Sequence, residues 1–259
     1  MIAMALLAMT IVMGLLWIIQ KRSGTAGIVD VAWSIGTGIC AVLFAVGADG
    51  NPARRLLIAV IAGIWGLRLG IHLLVRLKQE GEDGRYLMMR QRWGDRTQRN
   101  MLIFYQIQAI WAVLFALPML IAARNPSPLT WLDAFGAFIW LAAIAGESIA
   151  DRQLAAFKSI PQNKDKVCNT GLWKFTRHPN YFFEWTHWWA YVLIAFGGPY
   201  WWFTLGGPIV MYVFVTRITG IPPTEARSLK SRGDAYRHYQ QTTNAFFPGP
   251  QKTPPESRS

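Results

Sequence analysis

Seven apolar runs of about twenty residues constrain this chain more than any other feature of its sequence, because each is long enough for a helix to cross ~30 Å of hydrocarbon at ~1.5 Å per residue. They occupy residues 1–20, 27–48, 56–77, 101–123, 129–150, 181–197 and 200–219. Hydrocarbon offers the backbone no hydrogen-bond partner, so runs of this kind enter it as helices. The sequence therefore predicts an all-α integral membrane protein, a bundle of seven transmembrane helices with cytoplasmic loops and a C-terminal amphipathic helix. The first run has no Lys or Arg ahead of it, and Lys21 and Arg22 follow where a secretory signal would carry small residues. It is read as a retained helix.

The formal net charge of +12 would suit a nucleic-acid partner if the cations formed one soluble patch. They lie instead in the connections between the apolar runs, and alternate connections hold 20 Lys and Arg on one side against 3 on the other. The positive-inside rule then sets the N-terminus outside and the C-terminus in the cytoplasm, as an odd number of spans requires. All the long connections fall on the cytoplasmic side. A water-soluble reagent is expected there, while a greasy partner arrives through the bilayer; neither nucleic acid nor an obligatory protein partner is implied. Residues 1–248 read as one domain and 249–259, rich in Pro, Ser and charge, as a disordered tail. Cys40 and Cys168 read as packing or loop residues, and none of the four His stands in a metal-binding spacing.

Polar groups inside the runs mark an interior or a pathway, since a charge near mid-bilayer costs ~2.5–3.5 kcal/mol on insertion scales. Asp30 in "GIVDVAW" has Trp33 one turn deeper on the same face. Arg68 and His72 share a face of the third run with Trp65, and Glu147 and Asp151 repeat the i, i+4 spacing in the fifth. The plainer reading of such residues is an interhelical ion pair or a side chain reaching for the interface. Tyr105 lies one turn into the fourth run, where a phenol can donate a proton or serve as an interfacial belt residue.

The cytoplasmic connections add two groups. "KQEGEDGRY" sets Glu80, Glu82, Asp83, Arg85 and Tyr86 around two glycines, as a structured turn would. From Arg152 to Arg177 six cations, among them Lys158 and Lys166, face the acids Asp151 and Asp165. No glycine-rich phosphate loop is present, so a phosphorylated cofactor would be held by side chains of these connections. In "GLWKFTRHPNYFFEW", Pro179 suits the first turn of a helix, which places Asn180, Glu184 and His187 on one stripe. Such a helix start offers free N–H groups to an anion, with Arg177 and His178 beside it. Tyr236 and Tyr239 are read onto a short amphipathic helix that ends at Pro248.

"GLWKFTRHPNYFFEW" with "EARSLKSRGDAYRHYQQTTNAFFP" resembles the C-terminal half of the membrane steroid 5-alpha-reductase family, and "GIVDVAW", "EDGRY" and "ADRQLAAFK" resemble its bacterial branch. The resemblance spans nearly the whole chain. It implies NADPH as hydride donor and reduction of a carbon–carbon double bond conjugated to a ketone, as in 4-ene-3-oxosteroids, by an enzyme of the bacterial inner membrane. Residues 129–248 would form the cofactor-binding half. Carried over by position, Arg85, Tyr86, Asp151, Lys158, Lys166, Trp173, Arg177, His178, Asn180, Tyr181, Glu184, Arg227, Tyr236 and Tyr239 are the cofactor candidates. Trp33, Trp65 and Arg68 are the substrate candidates, and Asp30 and Tyr105 the catalytic ones. Trp65 stands where the eukaryotic members use a tyrosine, which leaves the proton donor open among Asp30, Tyr105 and Tyr86.

The same C-terminal pattern also resembles the isoprenylcysteine carboxyl methyltransferases, which use S-adenosylmethionine. That cofactor has no phosphates, and six cations in one connection favour the phosphorylated one. A sterol-binding membrane protein with a vestigial site is the third reading.

Overall fold

The computed structural model describes residues 1–253; the end of the expected disordered tail, 254–259, lies outside the described residues. Among them the fold is all-helical. Six stretches are long and apolar enough to cross a membrane: Ile2–Ser23, Ile28–Val46, Pro52–Glu80, Gly84–Ala123, Trp131–Ser159 and Trp201–Thr242. The helix Pro179–Ala195, expected as a further crossing, has 17 residues. That is ~25 Å of helix, short of a full hydrocarbon thickness.

The chain forms two compact units, Met1–Asp133 with Tyr191–Thr204, and Ala134–Ala190 with the chain from Leu205 onward. In the first, α1 (Ile2–Ser23), α2 (Ile28–Val46), α3 (Pro52–Glu80) and α5 (Thr97–Ala123) pack together, and the short α4 (Gly84–Trp93) caps one end. Helix α1 stops at Gly24, whose φ of 76° only glycine adopts without cost. Helix α3 starts on Asn51, whose side chain accepts from the Ala53 and Arg54 N–H groups, with Pro52 in the first turn. Helices α2 and α3 touch backbone to backbone. A Cβ on Gly66 would stand 2.7 Å from the Gly38 Cα and 2.9 Å from the Ser34 carbonyl oxygen. Small residues at such a crossing let two helices gain van der Waals contact where lipid supplies no hydrophobic drive.

At the opposite end from α4, the start of α3 is bolted to the start of α6 (Trp131–Ser159). Arg54 and Asp133 are 1% and 3% exposed and form a two-pronged pair, Nε to Oδ1 at 2.7 Å and Nη2 to Oδ2 at 2.9 Å. The remaining guanidinium N–H groups go to the carbonyls of Asn125 (3.0 Å), Ser127 (2.7 Å) and Pro128 (3.1 Å). Asp133 also accepts from the Thr130 N–H at 2.7 Å, so both charges are saturated. The sequence reading counts Arg54 as a plain outer-loop cation; the fold instead makes it the interior peg of the connection 124–130.

In the second unit, α6 leads through single turns to α7 (Pro179–Ala195). The run from residue 201, whose first four residues belong to the first unit, is not one helix. A 3-10 stretch, Trp201–Leu205, gives way to α8 (Gly206–Val213) and then to a π-turn, Phe214–Ile218. Pro208, inside this transition, has no N–H to give, and its carbonyl takes the Trp185 indole N–H at 3.0 Å. The polar helix α9 (Ile221–Thr242) follows, broken at Gly233 with φ 51°. It ends six residues before the Pro248 expected from sequence, because the chain beyond Thr242 leaves the helix to bond elsewhere.

Arg54→Met should cost about 3–5 kcal/mol, since it strands a buried carboxylate and three carbonyls. Thermal unfolding of the purified variant in detergent checks this, and a loss below about 1 kcal/mol would show the pair to be incidental.

Candidate functional site

The first unit gathers its polar side chains where α2 begins. Asp30, on the first turn of α2, forms an ion pair with Arg85 of α4, and Arg85 Nη2 also donates to the Tyr86 hydroxyl at 3.1 Å. Tyr86 is fully buried under the Arg85 guanidinium, whose carbon stands 4.9 Å from the ring centre. Next to this group Glu82 pairs with Arg90 and accepts from the N–H groups of Ala26 and Gly27, which caps α2 from a different segment of chain. Arg90 further donates to the Gly24 carbonyl at 3.1 Å, and the Tyr105 hydroxyl to that of Ala26 at 3.0 Å. The linker between α1 and α2 is thus held from three sides. Tyr105 spends its proton on this clasp, so Tyr86 is the phenol that shares a hydrogen bond with the Asp30–Arg85 pair.

One turn along α2 the polar group meets an aromatic wall. Trp33 stands edge-on to Trp65 (ring centres 6.4 Å, 85° between planes) and to Phe115 (5.5 Å, 88°). Trp65 is fully buried, Arg68 and His72 half-buried further along α3.

In the second unit the "RHPNY" segment forms a second network. Arg177 Nε donates to Glu225 Oε1 at 2.7 Å, and Arg177 Nη1 to the carbonyls of Gln240 and Thr243. His178 Nε2 lies 3.2 Å from the same Glu225 oxygen, and Gln240 Nε2 donates to the other at 2.7 Å. The His178 ring stacks on Tyr181 at 5.4 Å. The chain after α9 runs as a strap along this segment: the Arg177 N–H donates to the Asn244 carbonyl and the Gly249 N–H to that of Phe175, each at 2.9 Å. Phe246 is buried against Phe182, Trp185 and Tyr212. Trp173 and Tyr239, both buried, join in: the Tyr239 hydroxyl donates to the Trp173 carbonyl, and the Trp173 indole to that of Ala150 at 3.0 Å.

Helix α7 does start at Pro179, but its end is not an open anion site. The Arg177, His178 and Tyr181 N–H groups are taken by the Asn244 carbonyl, the Thr176 hydroxyl and the Asn180 side-chain oxygen. Asn180 Nδ2 reaches Asp151 Oδ1 at 3.3 Å, Glu184 is 9% exposed one turn on, and the buried His187 has Nδ1 2.6 Å from the Glu184 carbonyl oxygen. Tyr236 is buried on α9, whereas Lys158, Lys166 and Arg227 are exposed. Arg177, by contrast, is buried and serves as a fastener.

The sequence reading pairs none of these charges. Glu225, Gln240, Arg90 and Asp133 go unremarked in it; Asp133, between Leu132 and Ala134 with no opposite charge one turn away, carries the cue of a lone acid in an apolar setting, and the other three have no such mark.

The family described as "Protein of unknown function (DUF1295)" matches residues 16–243. No curated protein and no solved structure matches the chain.

Burial pushes the His178 imidazole below the ordinary histidine value of 6.5, against the pull of Glu225. The unfolded chain then binds a proton in a pH window where the folded one does not, so stability is held above about pH 6.5 and falls as the pH drops through that window. Thermal midpoints taken at about pH 7.5 and 5.5 should fall more for the wild type than for His178→Gln. Equal falls would place the acid sensitivity elsewhere.

Proposed function

The chain belongs to the DUF1295 family, whose description assigns no activity, and from the two networks above we propose that it is an NADPH-dependent reductase of the C=C bond of a conjugated enone in a lipophilic substrate. A 4-ene-3-oxosteroid going to the 5-alpha-reduced 3-oxosteroid is the reaction the sequence resemblance implies. On this reading the protein works in a bacterial inner membrane as a seven-span bundle, with its N-terminus outside and its C-terminus in the cytoplasm, which the charge asymmetry of the connections supports.

The observation that carries the reading is the Asp30–Arg85–Tyr86 group set one helical turn from the aromatic edges of Trp33, Trp65 and Phe115. A flat apolar ring system with a single carbonyl matches that pairing of wall and polar end. As the β-carbon is reduced, negative charge builds on the carbonyl oxygen, and a hydrogen-bond donor fixed there lowers the barrier. Tyr86 and Asp30 can supply the proton, with Arg85 bonded to both; Tyr105 holds the linker that positions them.

The second-unit residues fit a phosphate-bearing dinucleotide in the chemistry of their donor set. Exposed Lys158, Lys166 and Arg227 match its phosphates, and Asn180 with Glu184 on the first turns of α7 matches an amide-bearing ring. Bound NADPH would supply the hydride. Asp151 keeps Asn180 oriented, and the Arg177–Glu225–His178 network keeps the start of α7 fixed.

Purified protein in detergent should be stabilised by NADPH, and should oxidise it when given testosterone. Stabilisation by S-adenosylmethionine alone would instead select the methyltransferase reading. Lys166→Ala should raise the KM for NADPH more than that for NADH, a charge-assisted contact being worth ~1.5–3 kcal/mol. Glu184→Gln should stay folded and lose at least about tenfold in turnover, roughly 1.4 kcal/mol. Loss of folded protein with normal turnover of the remainder would make Glu184 structural only.

A further inference from the structure

Helix α4 turns outward a face that its packing does not explain. Tyr86 and Arg85 are directed inward, one fully buried and the other spent on Asp30. Leu87 and Met88, beside them on the ten-residue helix, are 53% and 55% exposed, and Gln91 and Arg92 continue the same face one turn on. Tyr86 sets the level at which this face lies. Its ring stands 6.1 Å from that of Phe104, which is seven residues, ~10 Å, into α5. Helix α4 therefore packs beside the first two turns of a membrane-length stretch, at the depth of headgroups and acyl boundary.

The same end of the unit carries unspent positive charge. Lys21 and Arg22 lie in the last turn of α1, Arg92 in that of α4, and Arg96 and Arg99 at the start of α5. All five are exposed, and none has an ion-pair partner among the described residues, whereas Arg85 and Arg90 are neutralised by Asp30 and Glu82. Asp95 is the one acid in residues 84–100. Hydrogen bonds gather the cations. The Trp17 indole donates to the Gln98 carbonyl at 3.0 Å, with Lys21 Nζ 5.7 Å from its ring centre. Arg90 donates to the Gly24 carbonyl at 3.1 Å, and the Thr97 hydroxyl to that of Gly94 at 2.7 Å. Arg96 and Arg99 also stand at the positive end of the α5 dipole, whose first turn holds no acid and no side-chain cap. Five like charges gathered at one end repel one another unless anions lie among them.

We propose that α4 is an in-plane docking helix for an anionic lipid leaflet, with Leu87 and Met88 set among acyl chains and Lys21, Arg22, Arg92, Arg96 and Arg99 on lipid phosphates. A lipid surface answers both halves of this face, since apolar side chains next to cations fit the boundary between acyl chains and phosphates. A free phosphate would leave Leu87 and Met88 in water, and a soluble protein does not reach a helix packed at headgroup depth. The inference goes beyond the enone reading and does not rest on it. It bears on the polar group of the first unit because Arg85 and Tyr86 belong to the inner side of the same helix. A leaflet that holds α4 down holds their positions also.

The test uses the full chain without cofactor in two kinds of nanodisc, one of phosphatidylcholine alone and one that also contains phosphatidylglycerol. Amide exchange across residues 84–93 should be at least about tenfold slower in the anionic discs, and about 1 M salt should remove most of the difference, the Debye length there being ~3 Å. Each cation near an anionic surface is worth about fivefold in binding. Arg92→Gln combined with Arg96→Gln and Arg99→Gln should therefore lose at least about tenfold of the preference for phosphatidylglycerol over phosphatidylcholine, read by lipid competition. Cys40 and Cys168 are buried, so a nitroxide can be directed to position 88 of Met88→Cys, where it should collide more with oxygen than with a water-soluble nickel chelate. Equal exchange in the two kinds of disc would mean that the cations serve topology only, and ready nickel access at position 88 would leave the face to a soluble partner; either overturns the proposal. The exchange measurement needs only the wild type, so it decides the matter even where a variant does not fold. Oxidation of NADPH enters none of these readouts, so the reductase reading can fail while this one stands.

Discussion

A charge taken out of water must bring its partner with it, and the fold depends on that requirement more than on any apolar contact. Lipid is as apolar as leucine, so burying leucine among helices does little to choose one register over another. Directional contacts make the choice here. Arg54 with Asp133 ties the start of α3 to the start of α6, Asp30 with Arg85 and Glu82 with Arg90 tie α4 to the start of α2, and Arg177 with Glu225 ties α7 to α9. Three of these pairs join elements far apart in sequence, while Glu82 and Arg90 are eight residues apart, and the Arg54, Glu82 and Arg177 pairs are completed by backbone carbonyls or N–H groups. The helices supply length, and these pairs supply position.

This division explains what could be read from sequence. The membrane class follows from run length alone, and the start of α7 from a proline whose missing N–H is no loss in a first turn. The stripe Asn180, Glu184, His187 follows from helical period. The pairing of Arg54 with Asp133 has no such local mark, since 79 residues separate them and neither has an opposite charge one turn away. Glu82 has Lys78 and Arg85 at one-turn spacing, yet it pairs with Arg90 and caps a helix 55 residues earlier, a contact with no local mark. Interruptions are legible only in part. Gly206, Gly207 and Pro208 sit inside an apolar run that hydropathy reads as continuous, yet the backbone there changes from 3-10 to α to π within eighteen residues.

The second network bears on why two families with different cofactors resemble the same segment. Arg177, His178 and Tyr239, which carry much of that resemblance, are bonded to Glu225, to the strap and to the Trp173 carbonyl. They act as fasteners of α7, α9 and the chain end. A motif that closes a scaffold is compatible with either cofactor, so it does not by itself choose between them.

The strap has a consequence for the order in which the protein is made. Every acceptor of the Arg177 guanidinium, Glu225 and the Gln240 and Thr243 carbonyls, follows it by 48 to 66 residues. The carbonyl that receives its N–H, that of Asn244, comes later still. A ribosome feeding this chain into a membrane has therefore delivered α7 long before anything exists to neutralise the cation at its head. Until the last turn of α9 emerges, Arg177 must stay in contact with water or lipid headgroups, and α7 cannot settle to its final depth. The second unit is thus completed only as synthesis ends, and a transcript cut short a few codons before Asn244 encodes a helix whose head lacks the Thr243 and Asn244 carbonyls.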